Sequence, residues 1–133
     1  MRLITAGLML AASVLALEPV AAADETFDQR LKEATQNRGS EAGRKYDEAF
    51  SKEFGAQYAP RLSRCLKQTG DPAPDTDFQM LLKLAGDGQV ERAMVRPETK
   101  MAACFRDLTK PTKYPAPPSA GYWYVVDMHF SKK

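Results

Sequence analysis

The sequence predicts an α+β fold: N-terminal helices, then a small antiparallel sheet in the order strand, strand, helix, strand. Three observations carry that reading. Apolar residues recur at helical spacing from Phe27 to Leu66. The period changes to alternation in FQMLLKL, residues 78 to 84, and again in YWYVVDMHF, residues 122 to 130. Between two short apolar runs, Gly86, Asp87 and Gly88 supply the residues a hairpin turn needs.

The first stretch of the 133-residue chain stands apart from that fold. Arg2, an apolar run from Leu3 to Leu17 and the small residues Ala21, Ala22 and Ala23 form the pattern of a secretory signal peptide over residues 1–23. The run is shorter than the roughly 20 residues a membrane span needs, and Glu18 and Pro19 interrupt it. Cleavage after Ala23 is therefore expected, with Asp24 as the mature N-terminus and no stable membrane anchor left behind. Neither cysteine lies near the cleavage site to accept a lipid, and the expected location is the periplasm.

What remains is the size of one domain with a modest core. Formal charge is +2 with acids and bases interspersed, which points to neither nucleic acid nor an anionic membrane surface as a partner. Residues 24–59 form a helical segment. Phe27, Leu31 and Ala34 mark a first helix, and a break at Asn37, Arg38 and Gly39 follows. Tyr46, Ala49, Phe50 and Phe54 mark a second, with Ser40 as its N-cap and Gly55 as its stop. Pro60 opens a third short helix that carries Leu62, Cys65 and Leu66 on one face and ends at Gly70. Residues 71–77, DPAPDTD, read as a loop.

Residues 60–133 hold the α+β part, packed as one domain with 24–59. Phe78, Met80, Leu82 and Leu84 share one face of the first strand, and VERAMV returns as the second until Pro97 ends it. ETKMAACFRDL follows as a helix with Met101, Cys104, Phe105 and Leu108 at i, i+3, i+4, i+7. The proline-rich KPTKYPAPPSAG leads into the last strand, where Tyr122, Tyr124, Val126, Met128 and Phe130 share one face.

Cys65 and Cys104 lie on the apolar faces of separate helices, and the chain has no third cysteine. In an exported protein a disulfide between them is the expected outcome. A redox pair would show C-x-x-C, and a structural zinc site needs more ligands than two cysteines and one histidine. No metal and no cofactor are expected.

The order of a cysteine-bearing helix, a strand, Gly86 to Val90, a second strand, Cys104 on a helix, Tyr114 to Pro118 and the strand from Tyr122 resembles the TonB C-terminal domain. The likeness is to its cysteine-containing relatives of the AgmX/PglI type, and it spans residues 62 to 131. The resemblance implies a small sheet with helices on one face, and a periplasmic module that accepts an extended peptide along a sheet edge. The chain departs from the family in lacking a long proline-rich spacer and an anchoring segment, so the fold is carried over and energy transduction is not.

Three residues on the less apolar face of the last strand, Trp123, Val125 and His129, are the candidate partner-binding set. Trp123 and Val125 are either packed beneath the N-terminal helices or offered to a partner. His129, the single histidine, lies two residues from Asp127, so the two can interact, as a solvated pair or as an acid/base pair. Without a nucleophile signature, the chain reads as a non-enzymatic protein-binding module that uses a sheet edge. The alternative is a periplasmic inhibitor or immunity-type protein that inserts DPAPDTD or KPTKYPAPP into an enzyme or toxin.

Overall fold

The computed structural model describes residues 20–70 and 76–130, with side chains from Thr26 onward. The signal-peptide assignment falls mainly on residues 1–19, and most of the DPAPDTD loop on 71–75, both outside the described residues. Helix α1 spans Val20–Gly39 and helix α2 spans Glu41–Thr69. They meet at Ser40, whose extended backbone and side-chain oxygen cap α2 by accepting the Gly43 amide at 2.9 Å. The corner is tight: a Cβ on Gly43 would sit 1.7 Å from the Asn37 carbonyl oxygen.

Two helices were expected where α2 runs unbroken for 29 residues, through Gly55 and Pro60. Glycine costs a helix interior about 1 kcal/mol and proline about 3 kcal/mol. Both lie on the exposed side, while Phe50, Phe54 and Cys65 are buried and Tyr58 and Leu62 pack against the same core. Full burial of a large apolar side chain is worth about 1.5–3 kcal/mol, so this continuous face outweighs the two local penalties. Gly70 ends the helix as expected, at φ 69° with its amide on the Leu66 carbonyl.

Strands β1 (Phe78–Leu84), β2 (Val90–Arg96) and β3 (Tyr122–Met128) form one antiparallel sheet in the order β2-β1-β3. The hairpin between β1 and β2 closes through Gly88, whose φ of 90° suits glycine and whose amide reaches the Ala85 carbonyl at 2.9 Å. Helix α3 (Lys100–Thr109) is capped by Thr99, which accepts the Ala102 amide at 3.0 Å. In sequence terms the strand-strand-helix-strand order over residues 78–128 is the one expected.

The sheet separates two cores. On one face Met80, Leu82, Tyr124 and Val126 pack against Phe50 of α2 and Phe105 of α3. On the other, Leu81, Trp123 and Val125 pack against Phe27 and Ala34 of α1. Helices therefore cover both faces, not one face as the resemblance implied, because the tight corner at Ser40 turns α1 to the side opposite α2. A disulfide joins Cys65 of α2 to Cys104 of α3 across a Cα–Cα distance of 5.7 Å. With a sequence separation of 39, the closed loop is worth about 4 kcal/mol in the chain-entropy account.

Candidate binding groove

Of the three expected partner-binding residues, Trp123 and Val125 are buried and His129 is exposed. Trp123 and Val125 are 3% and 2% exposed, and the α1 cluster covers them. Arg30 lies over the indole at 5.3 Å. The period-2 pattern placed these residues on the correct face of β3. It carried no information about which face α1 would take.

Among the described residues β3 is an edge strand, with one side that pairs with no other strand. The Trp123 carbonyl accepts Asn37 Nδ2 at 3.0 Å, and the Val125 carbonyl accepts a guanidinium N–H of Arg38. Because backbone groups alternate sides along a strand, Trp123, Val125 and Asp127 turn theirs away from β1. Asn37 and Arg38 thus shield the upper part of the edge. At the lower end Asp77 forms a clasp, accepting the Phe130 amide at 2.8 Å and contacting His129 Nδ1 at 3.1 Å. Between Arg38 and the clasp, the backbone of Asp127 faces outward.

A groove of about 540 Å³ runs along this window between α2 and β3. That volume is in the range of sites that hold small ligands or peptide side chains, roughly 300–1,000 Å³. Phe54 and Tyr58 of α2 form one wall and Val126 and Met128 of β3 the other. Arg38, Asp47 and Asp127 stand at the upper mouth, and His129 at the lower end. One guanidinium serves two carboxylates: Arg38 is 3.4 Å from Asp127 Oδ2 and 3.8 Å from Asp47 Oδ1. Asp127 also accepts Gln79 Nε2 at 2.9 Å.

His129 and Asp127, two residues apart in sequence, are held by different partners, His129 by Asp77 and Asp127 by Arg38 and Gln79. The Tyr124 hydroxyl donates to Asp47; burial first and that hydrogen bond second hold its pKa far above the ordinary tyrosine value. Tyr46 is pushed up in the same direction by burial and then by Tyr122 and Tyr114, and it donates to the Pro115 carbonyl at 2.9 Å. Both phenols are thus protonated donors at neutral pH. At about 3.3 Å per residue, the Tyr124 end of the groove lies some 16 Å from His129, too far for the two ends to act on one atom.

Among the described residues no group of three or more His, Cys, Asp or Glu is placed to hold a metal ion, and no helix is long and apolar enough to cross a membrane. Arg38, Asp47 and Tyr58 line the groove, yet nothing in the sequence marked them. Arg38 read only as part of a helix break, Asp47 as an ordinary helix position, and Tyr58 fell between the helix stop expected at Gly55 and the helix start expected at Pro60. A scan against protein-family models gives no match, and searches of curated proteins and of solved structures give none either.

Proposed function

We propose that this protein is a non-enzymatic periplasmic binding module that receives an extended segment of a partner protein in the groove between α2 and β3. The observation that carries the proposal is the outward-facing Asp127 backbone, lying open beside an apolar-walled groove on an edge strand. An incoming strand gains main-chain hydrogen bonds from such an edge, and its alternate side chains reach the Phe54 and Tyr58 wall. The strand-strand-helix-strand order and the inter-helix disulfide support the resemblance to the TonB C-terminal domain, with the departure that α1 occupies the second sheet face. The shift from Trp123 to the groove moves the recognition surface and keeps the edge-strand mode.

A direct test selects displayed peptides against the immobilised mature protein and maps bound peptides by amide chemical shifts. The expected result is perturbation concentrated at residues 125–129 and at Phe54 and Tyr58. Peptides that perturb β2 or the 110–121 loop, with 125–129 silent, would overturn the reading. Asp127→Pro, compared with Asp127→Asn, supplies a second readout, because only the proline removes the outward amide, and it costs the sheet no backbone ladder bond. It is expected to abolish binding in a folded protein.

A further inference from the structure

Resting on the groove reading above, we propose that the partner segment places a basic side chain, lysine or arginine, opposite Asp127, between two apolar residues that face α2.

The charge distribution at the mouth is the first argument. Asp47 and Asp127 share the single guanidinium of Arg38, and the two carboxylates outnumber that cation. Neither contact is tight. The separations of 3.4 Å and 3.8 Å exceed the 2.7–2.9 Å of a good charge-assisted hydrogen bond, so Asp127 gains from a better-placed donor. Arg38 is itself anchored on the Val125 carbonyl, which limits how far it can move to satisfy either one. Asp77, behind His129, adds a third carboxylate at the lower end.

The pleat supplies the second argument. Asp127 belongs to the same strand face as Trp123 and Val125, whereas Val126 and Met128 belong to the face covered by α2. A residue paired directly with Asp127 in an added strand projects to the Asp127 side, with its Cβ about 4.5–5.5 Å from that of Asp127. Its two neighbours project the other way, toward Phe54, Tyr58 and Met128. The pattern is therefore apolar, basic, apolar. Asp127 already has this arrangement on its inner side, where Gln79 of β1 sits opposite it and donates to Oδ1. Among the described residues the outer side has no equivalent donor from a strand.

Three synthetic peptides test the proposal on the full mature protein: acetyl-Ser-Val-Lys-Val-Ser-amide and its counterparts with Gln or Glu at the centre. Amide chemical shifts report both the site and the affinity. At low salt the Lys peptide is expected to bind about two- to five-fold more tightly than the Gln peptide, the range of one opposite-charge cross-strand pair, and the Glu peptide more weakly than either. Asp127→Asn should bring Lys and Gln to equal affinity, Asp127→Lys should favour Glu, and added salt should erase the wild-type preference. If all three peptides bind at 125–129 with equal affinity, the charge proposal fails while the groove reading stands. If none perturbs 125–129, both fail. The wild-type series decides the matter even if a variant proves unstable.

Discussion

Replacing Trp123 with alanine separates the recognition role suggested by the strand pattern from the packing role seen in the fold. The indole is 3% exposed and is the largest side chain in a small cluster with Phe27, Ala34, Leu81 and Val125. Truncating a buried Trp or Phe to Ala costs about 3–5 kcal/mol, because transfer free energy is lost and a cavity remains. Arg30 stacks on the ring at 5.3 Å and is itself partly exposed, which adds about 0.5–1 kcal/mol. Against a total of about 5–15 kcal/mol for a domain, this is a large fraction.

The assay is urea unfolding followed by far-UV circular dichroism, since the variant lacks the protein's single tryptophan. At a slope of about 1–3 kcal/mol/M, the midpoint should fall by one molar or more. Hydrogen exchange should rise first along α1, because its cluster is separate from the one that holds α2 and α3. Trp123→Phe, which keeps a ring in the cluster, should recover more than half of the loss. A Trp123→Ala protein with an unchanged midpoint and a protected α1 would refute the burial argument and return Trp123 to the surface.

Other outcomes follow from the same contacts. Cys65→Ala with Cys104→Ala should lower stability by about 2–5 kcal/mol, and alkylation of the native protein without reduction should find no free thiol. Gly55→Ala should raise the melting temperature by the equivalent of about 0.5–1 kcal/mol, because nothing lies within 4 Å of the added Cβ on that helix. Gly88→Ala should do the reverse, since φ is 90° and the new Cβ would meet the Tyr114 carbonyl oxygen at 1.9 Å; a neutral result in thermal unfolding would contradict the close approach. The folded-state pKa values of Tyr46 and Tyr124 are raised, so their contribution is fully present below the unfolded tyrosine value of about 10 and is lost as pH rises beyond it. Tyr124→Phe should flatten that alkaline decline in a stability-versus-pH series.

How far the sequence reached depended on whether a feature is set locally. Ser40 caps α2 because its own side chain meets its own helix, and Gly70 ends the helix because it alone tolerates φ 69°; both were legible. The alternation in residues 78–84 gave β1 to its ends, because one strand face is wholly apolar. Gly55 and Pro60 misled for the opposite reason. Their penalties are local, while the burial that overrides them comes from residues brought in by the sheet and α3. The two sides of Trp123 were equivalent until the Ser40 corner fixed the direction of α1, and that corner depends on Gly43 fitting against the Asn37 carbonyl.

The groove follows from the same corner. Turning α1 across the sheet brings Asn37 and Arg38 to the rim of β3, where they cover the carbonyls of Trp123 and Val125. An edge strand left bare along its whole length invites unselective pairing with any extended chain. Here the shielded part sits over the strand segment with the most apolar residues, and the open part begins at a charged one, Asp127. A strand that docks must therefore satisfy Asp127 on one face and the Phe54 and Tyr58 wall on the other at the same time. Main-chain hydrogen bonds are indifferent to sequence, so the coincidence of these two demands over a short window is what makes selectivity possible on an edge.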